Sequence, residues 1–337
     1  MRLVIETRAE HLPDEWDSLA GENPYLVRSF LSFIERTEKD YHPNYYLFYD
    51  TNGQSERLDS YFVAFRNRRF DIAMFTRVCF RRPVTLIYLP MSVTRPGMVL
   101  GKLKGEVLNA IRNIRGYTLV LNAGDGDAPG FATGLTCPKC ILRLRWNTFE
   151  EYISSLRSDY RNRLRKVFDR SAELHIRFID NQTEFDDRLY SLYLNVLRHS
   201  ETKIETLSRE YFRGESFRIF VAEMRGEKVG FVQLLENGKE LIFEFVGLDY
   251  RYNREYQVYH RMLYEIIRYA VERGFESIDF GQTADEAKLK LGCRYTYLYA
   301  WLHHSNALVR FFCKKFAPRL VYRPLTVNYR VFKGVKG

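Results

Sequence analysis

Three apolar runs, Phe217 to Met224, Val229 to Leu235 and Leu241 to Leu248, follow one another with only short polar turns between them. Arg225-Gly-Glu-Lys228 joins the first pair and Glu236-Asn-Gly-Lys239 the second. Asn-Gly between apolar runs is a strong hairpin signal, because both residues accept the positive φ that a tight turn between twisted strands requires. The stretch therefore predicts an antiparallel meander. The following segment, about Glu255 to Arg273, sets Val258, Met262, Ile266 and Ala270 on one stripe and stops at Gly274, as a helix packed on a sheet would. Ser277-Ile-Asp-Phe280 then reads as a short buried strand. An antiparallel meander feeding a β-α-β crossover is therefore expected here.

The first part of the chain also alternates strands with helices. Strands are expected over Leu3 to Thr7, Tyr45 to Tyr49, Leu58 to Phe65, Val84 to Leu89 and Tyr117 to Asn122, and helices over His11 to Gly21 and Ser29 to Glu38. Val99 to Arg115 carries Leu100, Leu103, Val107, Leu108, Ile111 and Ile114 on one face and is expected as a further helix. Asn122 to Gly130 is glycine-rich but lacks the ordered spacing of a phosphate-binding loop, so it reads as a plain loop. After Cys140 come a strand (Ile141 to Arg145), one long basic helix (Thr148 to Ala172) with Thr148 and Glu151 as a capping box, a strand (His175 to Ile179), a helix (Phe185 to His199) and a polar, mobile loop (Ser200 to Thr206). The fold class is α/β (α+β), with two lobes at residues 1–140 and 141–337. At 337 residues each can bury its own core.

Charge and cysteine usage narrow the setting. The net charge of +10 is concentrated: six basic and two acidic residues lie between Arg157 and Arg170, and eight basic residues with no acid from Arg310 onward. Such a field favours encounter with polyanions such as CoA, nucleotide-linked sugars, tRNA or anionic lipid, or it is simply a solvated face. Five cysteines are too few and odd in number for a disulfide framework. Cys137-Pro-Lys-Cys140 has the spacing of a zinc pair but no second pair completes four ligands, so a turn between lobes is expected and no metal. No apolar run reaches membrane-spanning length and the N-terminus lacks a signal-like stretch, which points to the cytoplasm.

The chemistry is expected around Ser277 to Gly292. An acid at a strand end (Asp279), a glycine that lets a ligand approach the backbone (Gly281), and a helix restart at Thr283, capped through Glu286, fall within a few residues, with Lys288 in that helix. Glu244, on the strand before the crossover, would face the same crevice if the two strands are parallel neighbours. A carboxylate there can act as a general base; an alternation that turns Glu244 to solvent is the competing reading. Arg251, Arg254 and Gln257, at the entry to the crossover helix, could hold a phosphate by charge-assisted bonds, and an exposed polar helix entry is the alternative. Tyr256, Tyr259 and Tyr295 suit packing as well as they suit a role as acids.

Asp279-Phe-Gly281, then Lys288, then Gly292, followed by an aromatic strand (Tyr295, Tyr297, Tyr299, Trp301), resembles the closing motif of the FemAB-like branch of the GNAT acyltransferases, which reads D-F-G, a short polar run, and K-x-x-x-G. The similarity extends over roughly Trp146 to Lys315 and includes the basic helix after Thr148. The resemblance implies tandem GNAT-like lobes, each a mixed, mostly antiparallel sheet flanked by helices, and transfer of an acyl or aminoacyl group to an amine. The motif supports Asp279 as catalytic; Glu244 is expected to be catalytic with it, Arg251, Arg254 and Gln257 to bind the donor, and Lys288, Gly281 and Tyr256 to bind the substrate. The donor would be an acyl-CoA co-substrate, with no tightly bound cofactor, and the acceptor a sugar, amino acid or peptide amine in cell-envelope or polysaccharide assembly. GNAT enzymes usually carry a glycine-rich pyrophosphate turn where this chain has Arg251 to His260 without glycine. That departure leaves two alternatives open: aminoacyl-tRNA as donor, which the basic helix and the acid-free tail favour, and a binding module without donor chemistry.

Overall fold

The computed structural model describes residues 1–51, 55–76, 78–89, 94–200 and 206–334. The chain divides into two compact units, one of Met1–Pro138 with Tyr297–Pro324, the other of Lys139–Thr296 with Leu325–Gly337. The first unit runs β1 (Arg2–Glu6), α1 (Glu15–Ala20), α2 (Arg28–Thr37), β2 (Pro43–Asp50), β3 (Arg57–Asp71), β4 (Arg81–Ile87), β5 (Met98–Val99), α3 (Lys104–Asn113), β6 (Tyr117–Ala123) and β7 (Ala132–Leu135). The second runs β8 (Lys139–Arg143), α4 (Phe149–Ser155), α5 (Ser158–Arg170), β9 (His175–Phe178), α6 (Asn181–Glu184), α7 (Asp187–His199), α8 (Arg209–Phe212), β10 (Phe217–Met224), β11 (Glu227–Asn237), β12 (Glu240–Leu248), α9 (Tyr250–Tyr256), α10 (Val258–Glu272), β13 (Ser277–Asp279), α11 (Asp285–Leu289) and β14 (Arg294–Thr296). β15 (Tyr299–His304) and α12 (Ala307–Leu320) return to the first unit.

Each unit is one mixed, mostly antiparallel sheet with helices packed on it. The first has strand order β1-β2-β3-β4-β6-β15-β7 with β5 on β3; the second has β14-β8-β13-β12-β11-β10-β9. In each, one pair of adjacent strands is parallel and bridged by a helix: β4 and β6 through α3, β12 and β13 through α10. The expected meander is present, with β10, β11 and β12 paired antiparallel in sequence. α10 seats Val258, Met262, Leu263, Ile266, Ile267 and Ala270 in the core, all fully buried. Each such large apolar side chain contributes about 1.5–3 kcal/mol. Among the described residues no helix is long and apolar enough to cross a membrane.

Three expectations change. The aromatic strand after Gly292 is two strands in two sheets: Arg294–Thr296 pairs with β8, whereas Tyr299–His304 lies between β6 and β7. The second unit therefore does not run unbroken to residue 337. Local alternation in Tyr299–His304 does not choose between the two sheets; pairing on both sides, with β6 and β7, does. The basic helix is likewise two helices, because Leu156 and Arg157 take extended backbone, Leu156 bridges to Phe332 and the Arg157 N–H donates to Val331 O at 2.9 Å. Thr148 does cap α4, accepting from the Glu151 N–H. The third helix expectation, Val99 to Arg115, shortens to α3, with Met98–Val99 paired to β3 instead. The polar stretch 200–206 falls almost wholly outside the described residues.

Candidate active site

The parallel pairing of β12 and β13 brings the two expected acids together. Asp279 lies directly opposite Ile242, and Glu244 is two residues farther along the same strand. With strands about 4.8 Å apart and about 3.3 Å of rise per residue, their backbones are separated by about 8 Å. Glu244 is also where β11 and β12 slip: Gln233 opposes Phe245 and Leu234 opposes Phe243, so β11 steps past Glu244 in a β-bulge. Bulges re-aim side chains in mid-sheet, and here the side chain that turns is a buried carboxylate, 6 % exposed.

Asp279 is fully buried. Its Oδ1 accepts from the Gly281 N–H at 2.9 Å and its Oδ2 lies 3.7 Å from Lys139 Nζ. The acid thus shapes the turn after β13, and Gly281 makes that turn at φ +71°, a conformation that glycine adopts without steric cost. The turn is fastened to β8 through Phe280 N–H to Cys140 O and Cys140 N–H to Gly281 O. Beyond Gly281 no capping box forms. Thr283 and Ala284 both take left-handed backbone, φ +61° and +50°, and α11 starts only at Asp285 without a side-chain cap. The left-handed pair swings α11 back over the strand ends, and its Lys288 enters the core at 2 % exposure, donating from Nζ to Gln282 O at 2.6 Å.

Burial pushes the Lys288 ammonium below its ordinary pKa, against the opposing pull of Cys140, Cys293, Asp285 and Asp279 around it. The Phe243 ring lies 5.9 Å from Nζ. Asp285, itself buried, accepts from Tyr295 OH at 2.8 Å. Burial also raises the Cys140 thiol, to about 12, and lifts Cys293 well above its usual value, so both are neutral thiols beside the lysine. Tyr259, at the start of α10, is raised first by burial and then by Cys140 and Cys293, which locates its phenol at the same cluster.

The residues expected to bind the donor sit elsewhere, and Tyr256, expected at the substrate, lies with them. Arg251, Arg254 and Tyr256 lie on α9, and Gln257 is the left-handed link (φ +51°) between α9 and α10, where one continuous helix was expected. From Glu244 to Asp249, where α9 begins, is five residues of strand, about 16 Å. Arg251 is committed to Asp249, with Nη2 2.8 Å from Oδ2, and Arg188 of α7 approaches the same carboxylate at 3.1 Å. Arg251 first, and Arg188 with it, hold Asp249 down to about 2. Arg254 is exposed, and Tyr256 stacks beside Tyr252. A cavity of ≈ 520 Å³ lined by Phe178, Asp180, Asn181, Arg218, Tyr269 and Arg273 lies at the β9 edge, four strands from β13 and so about 19 Å from Asp279.

Sequence reasoning missed Gln233, Lys139 and Cys140. Gln233 is wholly buried in β11 opposite Phe245, and neither polar atom of its amide finds a hydrogen-bond partner among the described residues. A buried amide without a partner costs about 1–3 kcal/mol. A glutamine inside an apolar strand was the signal available. For Lys139 and Cys140 there was none, because only β8 pairing with both β13 and β14 brings them there.

Residues 154–289 match the model of the acetyltransferase (GNAT) domain. Among solved structures the fold is similar to that of FemX, at 10 % identity over 93 % of this chain and 100 % of that one, TM-score 0.54. It is also similar to L-PGS from Bacillus licheniformis, at 12 % identity over 94 % and 98 %, TM-score 0.51. Residues 154–289 thus carry a GNAT acetyltransferase domain, and the chain as a whole has a FemX-like fold. No curated protein matches it. The GNAT match includes Gln233, Glu244, Asp279 and Lys288; Lys139, Cys140 and Tyr295, which complete the cluster, lie outside it.

Proposed function

We propose that this GNAT protein moves an acyl group from an activated thioester, an acyl-CoA or similar donor, to the amine of a sugar, amino acid or peptide used in cell-envelope or polysaccharide assembly. The observation that carries the reading is the buried Lys288 held within reach of Asp279 beside the Glu244 bulge. In the transfer the amine nitrogen attacks the thioester carbonyl, a C–N bond forms, the C–S bond breaks and the thiolate leaves with a proton. Glu244, a buried carboxylate where β11 and β12 slip, is the base that accepts the amine proton. Lys288 supplies the positive dipole for the oxyanion in a site with little water. Asp279 positions the Gly281 turn and Lys139. Gln233, Gly281 and Tyr256 are assigned to the acceptor, and Arg254 with Gln257 to the donor phosphates; Arg251 contributes through Asp249.

A second reading exchanges the donor for aminoacyl-tRNA. It is favoured by Arg157, Arg165, Lys166 and Arg170, which are exposed along α5, together with exposed Arg254 on α9, packed against it. Incubation of the pure protein with acyl-CoA pools should release free thiol only when an amine is present. Retention of charged tRNA that falls steeply with salt, without thiol release, would select the second donor. Full transfer rate in an Asp279→Asn variant would remove that residue from the machinery.

A further inference from the structure

α12 is apolar on both sides. Val309, Cys313, Ala317 and Leu320 turn toward the sheet, where Ala317 and Leu320 meet Leu135, Ala300 and Leu302 of β7 and β15. Leu308, Phe311, Phe312 and Phe316 instead stand in solvent at 66, 60, 46 and 41 % exposure. Their spacing of three, four and eight residues from Leu308 sets them along one side of the helix. The Phe311 and Phe312 rings meet edge to face at 5.7 Å and Phe312 and Phe316 stack at 6.4 Å, so the strip is continuous. Water is a poor solvent for such a strip, and a contiguous exposed patch of this kind marks an interaction surface.

The charges around the strip choose the occupant. Lys314, Lys315 and Arg319 are exposed on the same helix, Arg319 reaches over the Phe316 ring at 5.7 Å, and no acid occurs anywhere from Ala307 to Gly337. A second copy docking through this face would set cations against cations. A bilayer carrying negative headgroups accepts both components at once: rings and leucine enter the acyl boundary while lysine and arginine heads stay with the phosphates. The loop after β3 lies beside the end of α12, its Phe75 packing on Tyr322 at 5.5 Å, and its Val78 is 68 % exposed. We propose that α12 is an interfacial helix that docks this protein on an anionic lipid surface, its axis in the membrane plane.

The test is co-sedimentation of the full chain with phosphatidylcholine vesicles, with and without phosphatidic acid. That lipid has no amine, so docking is read separately from acceptor binding. The chain should sediment with the acidic vesicles and be released by salt. Two double variants, F311S/F312S and K314E/K315E, should each weaken binding about tenfold or more, with melting curves unchanged because all four side chains are exposed. Thiol release with a soluble amine, in vesicle-free solution, should match wild type in both. No sedimentation with acidic vesicles, or sedimentation unaffected by either variant, overturns the proposal. So does a concentration-dependent dimer abolished by F311S/F312S, which assigns the face to a second copy. Retention of an RNA oligonucleotide in place of vesicles, or loss of vesicle-free transfer in either variant, also overturns it.

Discussion

The two units share a plan and differ in what they bury. In the first, the buried polar side chains among the described residues are Ser60, Thr94, Thr118, Asn122, Thr136 and His303, with no carboxylate or ammonium. In the second they include Glu244, Asp249, Asp279, Asp285 and Lys288. Both sheets have a parallel pair spanned by a helix, so the topology that creates a crevice at the strand ends is present twice. Only one of the crevices is furnished with ionisable groups. Removing a charge from water costs several kcal/mol unless partners offset it, and a fold retains such a cost where the group has work to do. The first unit shows the opposite departure, apolar rings left in water on α12. One unit therefore concentrates its exceptions in its interior and the other at a surface.

The largest effect expected from breaking this contrast is on the first unit's core. Trp301→Ala removes a side chain at 1 % exposure whose Nε1 donates to Asp125 O, and should cost about 4 kcal/mol. A calorimetric scan should show one transition lowered and the other, belonging to residues 139–296, unmoved; a uniform shift would mean the units melt as one. Next is Lys288→Met, which keeps the volume and deletes the charge. It should lower the transfer rate about a hundredfold, a loss of about 2.7 kcal/mol in transition-state stabilisation, while the fold persists. Thiol release at the wild-type rate would make the buried lysine a structural feature and erase the functional half of the comparison.

Smaller still is Gly292→Ala. Gly292 has φ +101°, and a Cβ there would meet the Phe332 ring at 2.2 and 2.3 Å. A loss of about 2 kcal/mol is expected in chemical denaturation of the second unit, since Phe332 must leave its place against Leu156 and Trp146. The smallest effect is pH-dependent. The folded Asp249 carboxyl, at about 2, lies below its unfolded value, so its contribution is complete above about pH 4 and fades as pH falls toward 2. Because Arg251 is 80 % exposed, solvent screening limits this to about 1 kcal/mol. Asp249→Asn should flatten acid titration of stability across that window, and a slope identical to wild type would show that the carboxylate is not held low.

Much of the second sheet was legible because its signals are local. The hairpin at Asn237-Gly238 and the stripe on α10 each reside in one continuous segment. The helix after Gly281 was misread for the same reason: Thr283 and Glu286 have capping-box spacing, but the backbone there turns left-handed to bring Lys288 inward. Likewise the Thr148 to Ala172 helix breaks at Leu156 because Val331 and Phe332, far away in sequence, pair with it. Arg251 looked like a phosphate ligand until Asp249, two residues before it, turned out to hold its guanidinium.

By itself the sequence determined the meander, the crossover and the Asp279-Phe-Gly281 turn, since each depends on side-chain period, on turn chemistry or on a residue's own backbone freedom. Tertiary structure alone decided that Tyr299–His304 crosses back to β6, that β8 brings Lys139 and Cys140 beside Asp279, and that Glu244 sits at a bulge opposite Gln233. Those outcomes depend on which strand edge is left open and on which register buries the most apolar surface. Both are properties of the assembled sheet, and no single segment encodes them.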